Sequence, residues 1–285
     1  MMVFTNRPEL SPEEKKMPLA KYYDLPLHSP GPREQQIIDA CPIDPELAIK
    51  VENFTDLLQP AGYSKAEYGY CMMNDGSGYM AIYTVYPNCT PEMLGWWFRW
   101  LNVHPKAMPG GKGNLKYKIW CPPDHFDHGF INGKDRRDGI YAVESIDLGQ
   151  GEEKVYFFRH PFNLRDYGLT KEREQALKDA GCWTDCSWVS FHSPNPPHRA
   201  YPGTYLWLTL SRYCPLGGME KLTRIWIGYG LKKGKACFDK STPPSMLCEG
   251  YMKKFLIHCT VEAQHLSKLL PELYAKYHDK PDDEL

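Results

Sequence analysis

The chain lacks most of the features that sort a protein quickly. None of its ten cysteines forms a Cys-x-x-Cys pair. The closest two, Cys182 and Cys186, have no second pair to complete a four-cysteine zinc site. The N-terminus, Met1 to Leu10, has no cationic start followed by an apolar stretch, so it does not read as a secretory signal. The cysteines are therefore expected to be reduced, mostly as small buried hydrophobes of a cytoplasmic protein. No apolar run approaches membrane-spanning length. No block of Lys or Arg stands out, and 34 basic against 35 acidic residues leave a net charge of −1. Nucleic acid and anionic membranes are accordingly poor default partners. Gly110-Gly-Lys-Gly113 lacks the Walker spacing and a following Ser or Thr, and reads as a linker. There is no Gly-x-Ser-x-Gly nucleophile elbow, internal repeat or low-complexity segment.

What is present begins with 285 residues, 42% of them hydrophobic, which is ample for a large core. Nineteen Tyr, 11 Phe and 8 Trp suit a pocket lined by rings, and equally a sheet core. Residues 1–35, rich in proline and charge, read as an arm. Gly78–Tyr86 is a strand by its β-branched and aromatic content. Thr90 as N-cap and Pro91 open a helix carrying Met93, Leu94, Trp96, Trp97 and Trp100; it is apolar around most of its circumference and so expected to be buried. Beyond Gly113, strands are expected at Leu115–Trp120, Gly139–Leu148, Lys154–Arg159, Trp188–His192, Tyr205–Leu210 and Leu222–Gly230. A short helix, Asp166–Ala180, interrupts them. The chain closes with a long amphipathic helix from about Pro244 to His278. Many antiparallel strands followed by one such helix predict an α+β layer: a curved sheet gripping a helix, with a cavity between them.

Three stretches carry chemistry. In Phe255-Leu-Ile-His258-Cys-Thr-Val-Glu262, the imidazole and carboxylate lie one turn apart on the face that holds Phe255, Cys259, Leu266 and Leu269. A buried carboxylate needs a partner, and a divalent metal is one. The pair can also simply hydrogen-bond to each other. Cys121-Pro-Pro-Asp124-His125-Phe-Asp127-His128 follows the strand expected to end at Trp120, where sites are commonly built, though either His could lie at the surface. Period-2 alternation puts Glu144 on a face with Ala142 and Ile146, pointing inward unless the strand is an edge.

The runs Lys116-Tyr117-Lys-Ile-Trp120-Cys-Pro-Pro-Asp124-His125, Val143-Glu144-Ser-Ile-Asp-Leu-Gly149, Thr223-Arg224-Ile-Trp226-Ile-Gly228-Tyr229 and His258-x-x-x-Glu262 occur in this order. Together, from about Tyr68 to Tyr274, they resemble the diacetylphloroglucinol hydrolase and phloretin hydrolase family. The resemblance implies a metal-dependent hydrolase that cleaves the carbon–carbon bond between an acyl group and a phloroglucinol ring. The implied fold is a small, largely helical N-terminal region (1–110) and a helix-grip catalytic domain (111–285), Bet v 1-like. It implies metal ligands at His125, Glu144, His258 and Glu262, for Zn2+ or another divalent transition metal. Tyr117 and His128 would have catalytic roles, and Tyr117, His128 and Tyr229 would bind the substrate, a small phenolic ketone. The oligomer it suggests is a homodimer. Two departures are visible. The loop between His125 and Glu144 is shorter than the family's. The family has a catalytic His in the strand before the Arg-x-Trp-x-Gly segment, whereas Leu208-Thr-Leu-Ser-Arg-Tyr-Cys214 has none; His192 and His198 lie upstream. Two other readings stay open: a helix-grip binding module for an aromatic or polyketide ligand, and a metal-dependent polyketide cyclase or isomerase.

Overall fold

The computed structural model describes residues 2–102, 113–131, 139–151, 154–193 and 199–280. Its centre is an eight-stranded antiparallel sheet and a C-terminal helix of 29 residues, an α+β arrangement. A two-residue pair, β1 (Val3–Phe4) with β2 (Leu27–His28), and two short helices, α1 (Ala20–Tyr23) and α2 (Pro32–Ala40), precede the sheet. The sheet strands are β3 (Gly69–Met72), β4 (Gly78–Tyr86), β5 (His125–Phe130), β6 (Ile140–Glu144), β7 (Val155–Pro161), β8 (Trp183–His192), β9 (Ala200–Tyr213) and β10 (Met219–Ile227). Their order across the sheet is β3-β4-β10-β9-β8-β7-β6-β5. Helices α3 (Pro91–Trp100), α4 (Leu115–Trp120) and α5 (Lys171–Asp179) lie in the connections. A hairpin, β11 (Tyr229–Lys232) and β12 (Lys235–Phe238), leads to α6 (Glu249–Tyr277).

β3 and β4 precede residue 110 yet pair with each other and, through β4, with β10. The sheet therefore draws strands from both sides of the expected boundary between 1–110 and 111–285. Leu115–Trp120, expected as a strand, is a helix. Its alternation of Leu, Tyr and Ile with Lys imitates period 2. However, Asn114 caps it by accepting from the Tyr117 N–H, and Leu115/Ile119 and Tyr117/Trp120 are buried at helical spacing. α6 starts at Glu249 rather than near Pro244, because residues 243–247 turn on themselves through Met246 N–H to Pro243 O and Leu247 N–H to Pro244 O.

Period-2 alternation gives the sheet two distinct faces. The outer face carries Leu206, Leu208, Leu210, Leu222 and Trp226, packed under Phe54, Leu57 and Leu58 and under Leu177 of α5. The inner face is covered by α6, whose Met252, Phe255, Leu256 and Cys259 share a cluster with Met80, Ile82, Ile225 and Ile227. α3 is buried as expected: Trp100 stacks on Tyr277 of α6 at 5.5 Å between ring centroids, and Trp96 meets Tyr274 edge-on at 5.4 Å. All ten cysteines are free thiols. Among the described residues, no helix is long and apolar enough to cross a membrane.

Candidate functional site

Where α6 crosses the inner face beside β5 and β6, charged groups are buried together. His125 opens β5 and stands directly opposite Glu144, the last residue of β6, so their side chains share a face. The pairing then slips, leaving Phe126 as a bulge, and His128 faces Ala142. Without that extra residue, positions 125 and 128 would point to opposite faces; the bulge turns both inward. From the helix, His258 and Glu262 come down one turn apart, with 1% and 6% of their surface exposed.

His125 Nε2 lies 3.2 Å from Glu262 Oε2 and 3.6 Å from Glu144 Oε2, and His258 Nε2 lies 3.8 Å from Glu262 Oε2. Despite these neighbours, His125 Nε2 makes no hydrogen bond of acceptable geometry. The opposite ring nitrogens are engaged. His258 Nδ1 donates to Asp124 Oδ2 at 2.7 Å, and His125 Nδ1 is 3.2 Å from the Tyr117 carbonyl. Holding the proton on Nδ1 turns each Nε2 lone pair toward the carboxylates, which is how metal-binding imidazoles are usually oriented. His125, Glu144 and His258 bring ligand atoms within 4.8 Å of one another, with Glu262 beside both imidazoles; this donor set fits a divalent ion, and His125 Nε2, left without a hydrogen bond, is the observation that tests the fit.

A second group, Cys121, Asp124 and His258, is equally close-set. Asp124 is already saturated: besides His258 it accepts from Ser145 Oγ and from the Leu148 and Gly149 N–H groups. Burial opposes its charge, but these donors outweigh burial and hold the carboxyl at about 2. Burial keeps the Cys121 thiol protonated, well above its ordinary value. Asp124 therefore orients His258 rather than offering a free ligand atom. Burial raises the Glu144 carboxyl. It pushes Glu262 the same way, but His125, His258 and Lys221 prevail and the carboxyl sits below its usual value.

Tyr117 stacks on His125 with ring centroids 4.0 Å apart, and its hydroxyl donates to Glu144. Burial and the adjacent Glu144 hold the phenol well above its ordinary pKa, so it remains a donor. Trp120 Nε1 donates to the Glu262 carbonyl at 3.1 Å, tying α4 to α6. From this cluster a cleft runs between the sheet and the helix. Its walls include Phe98, Trp120, Phe157, Trp183, Trp207 and Phe255, and its polar groups include His128, Thr209, Lys221 and Arg159 with Asp185.

The DAPG hydrolase PhiG domain family matches residues 47–275. The chain belongs to this family. It is 28% identical to the phloretin hydrolase of Eubacterium ramulus, over 94% of this chain and 93% of that one. It is 23% identical to a 2,4-diacetylphloroglucinol hydrolase of a Pseudomonas species, over 92% and 89%. A protein of the same name from Pseudomonas protegens is 22% identical, over 92% and 85%. These relatives are hydrolases, which supports an enzyme here.

Against this family background, the structure brings Glu144, His258, Glu262, Tyr117 and His128 together on the cleft wall, with His125 packed behind them against Tyr117 and Glu262. It does not bring Tyr229 there. Gly228 adopts φ +93° after β10, and a Cβ at that position would meet the Phe238 ring at 2.5 Å. The chain leaves the sheet at this turn, and the Tyr229 hydroxyl donates to Asp75 instead. His192 lies on the outer face of β8, its ring 4.0 Å from Phe158 and its Nε2 2.9 Å from Ser190 Oγ. His198 lies outside the described residues. The stretch without histidine, Leu208–Cys214, runs along β9 and its end; the residues of β9 that face the cleft are Tyr205, Trp207 and Thr209.

Sequence reasoning missed Asp124 as the anchor of His258, although it sits beside His125. It also missed Lys221 and the Arg159–Asp185 pair. Period-2 alternation on β10, which sets Lys221 on a face with Thr223 and Ile225, was the available signal.

Proposed function

We propose that the chain is a metal-dependent hydrolase of an acylphloroglucinol such as phloretin or diacetylphloroglucinol. It would cleave the carbon–carbon bond between the acyl group and the ring. The convergence of His125, Glu144, His258 and Glu262 at the wall of an aromatic cleft carries this reading, and family membership supports it. In this reading the sheet and α6 form a helix-grip fold, and those four residues hold the ion, zinc being well suited to two imidazoles and two carboxylates. A bound divalent ion would supply Lewis acidity toward the acyl oxygen and ease the ionisation of water.

The chain's own residues do the rest. The aromatic walls hold a planar ring edge-on to the ligand cluster and keep bulk water out. Water adds to the acyl carbon; the bond to the ring then breaks, and its electron pair passes into the ring and onto the ring oxygens. The ring carbon takes up a proton, giving a carboxylic acid and the deacylated phenol. Tyr117 is a neutral phenol whose one O–H points to Glu144 in the free protein; with Glu144 engaged by the ion, that O–H turns to the substrate oxygen that gains charge, and His128 stands on the same wall.

Incubating the purified protein with phloretin and with diacetylphloroglucinol tests this. Release of a free carboxylic acid and a phenol of lower acylation, with about one equivalent of metal retained, is expected. Rearranged product without acid would mean a cyclase or isomerase, and a metal-free protein that only binds the ketone would mean a binding module. Tyr117→Phe should keep the metal and lose rate by about 10²-fold.

A further inference from the structure

Lys221 is the third residue of β10, opposite Thr84 of β4 and Ser211 of β9, on the face toward α6. It is 8% exposed and lines the same cleft as Glu262 and Tyr117. Among the described residues no carboxylate comes within ion-pairing distance of its ammonium, and no hydrogen bond is formed. The groups that act on it do so through space: Glu262 and Cys259 from α6, Arg159 from β7 and Asp185 from β8. Asp185 is committed to Arg159, 2.6 Å from its Nη2. Glu262 faces His125 and His258 and is a ligand in the proposed function. Burial lowers the Lys221 pKa, as it must for an ammonium without a counter-ion. A buried charge is retained where something outside the chain pairs with it.

We propose that Lys221 binds an ionised ring oxygen of the substrate, so that the enzyme selects phenols acidic enough to enter as phenolates. This deepens the proposed function and rests on it. The ring of an acylphloroglucinol carries acidic hydroxyls, and bond cleavage leaves further charge on the same oxygens. With the acyl group at the ligand cluster, an oxygen across the ring reaches the β10 wall, where a fixed cation stabilises it in both the ground state and the transition state.

The test uses the full-length, zinc-loaded protein and two variants, Lys221→Met and Lys221→Arg, with metal content measured in each. The binding probe is 4-nitrophenol, whose phenolate absorbs in the visible, against 4-nitroanisole, its neutral ether. Wild type should bind the phenolate, moving the probe's ionisation to lower pH. Lys221→Met should lose about 10- to 100-fold in affinity, the effect of one hydrogen bond to a charged group, and should abolish that movement. Binding of 4-nitroanisole should be unchanged, and Lys221→Arg should restore most of the phenolate affinity. Lys221→Met should also melt at a higher temperature, since a lysine that served the fold would lower it. Equal phenolate binding by wild type and Lys221→Met, or a lowered melting temperature in that variant, would overturn the proposal. Wild-type failure to hydrolyse phloretin, with Lys221-dependent phenolate binding intact, would instead count against the reaction.

Discussion

β10 buries charge on both of its faces and treats the two differently. On the outer face Glu220 accepts from Arg212 Nε at 2.6 Å and from the hydroxyls of Tyr63 and Tyr83 at 2.9 and 3.0 Å. Arg224, two strand positions after Leu222, is paired with Glu67. On the inner face the Lys221 ammonium has no such closure, and across the cleft His125 Nε2 stands among carboxylates without a hydrogen bond of acceptable geometry. A group whose partners all belong to the chain serves the fold. A buried charge that no counter-charge of the chain closes on is available to a ligand. The same strand thus separates structural from functional charge by alternation alone.

The sharpest way to break this contrast is to remove a group from each side. His258→Ala deletes a proposed ligand on α6 and leaves Glu262 without its helical partner. Metal content measured on the folded protein should fall to background, and hydrolysis with it. A variant that kept a full equivalent of metal would remove His258 from the site.

Arg224→Met should do the reverse. It removes the counter-charge of the half-buried Glu67, which keeps the Ser64 N–H, and should cost about 1.5–3 kcal/mol of stability in urea denaturation, the loss of a hydrogen bond to a charged group. Metal content per folded molecule should not change. Adding Glu67→Gln should recover much of the loss. A loss of metal in Arg224→Met would mean that the two faces are not independent.

The contrast was only partly legible in the sequence. Helical spacing put His258 and Glu262 on one face, and alternation put Glu144 inward, because burial on one side imposes a period the eye can follow. The slip at Phe126 was not legible, since a bulge has no composition of its own, and the inward turn of His128 depends on it. Leu115–Trp120 read as a strand because a short run of alternating apolar residues satisfies either period; the Asn114 cap decides it. Tyr229 came to the site through the family resemblance, which carries no backbone geometry; the positive φ of Gly228 turns the chain out of the sheet just before it. Lys221 was passed over because the expected strand, Leu222–Gly230, began one residue after it, whereas β10 runs from Met219 to Ile227.

Asp124→Asn perturbs the site from behind and should have a smaller effect. The residue orients His258 without offering a free ligand atom, so metal affinity should fall about 10- to 100-fold rather than vanish. Its pH dependence carries a further signature. In the metal-free protein, burial works against the His258 imidazolium, yet Asp124, Glu262 and Glu144 hold it up at about 9. A raised pKa gives stability that is complete below the ordinary imidazole value of about 6.5 and is lost as pH rises through about 9. Asp124, held at about 2, contributes fully above about 3.9, and its share is lost as pH falls through about 2. Metal must displace the Nε2 proton, so apparent affinity should climb with pH up to about 9 in the wild type. Asp124→Asn should flatten that climb; an unchanged slope in metal titrations would separate Asp124 from His258.

Tyr229→Phe should have the smallest effect, and its smallness is the point. The Tyr229 hydroxyl donates to Asp75 at a partly exposed turn on the far side of Gly228 from the cleft. Losing that hydrogen bond should cost no more than about 1 kcal/mol of stability. KM and kcat with an acylphloroglucinol should match wild type, because no atom removed borders the cleft. A rise in KM at unchanged stability would mean that the β11–β12 hairpin folds over the substrate, bringing Tyr229 to the ring. The separation of the two faces at Gly228 would then hold only for the free enzyme.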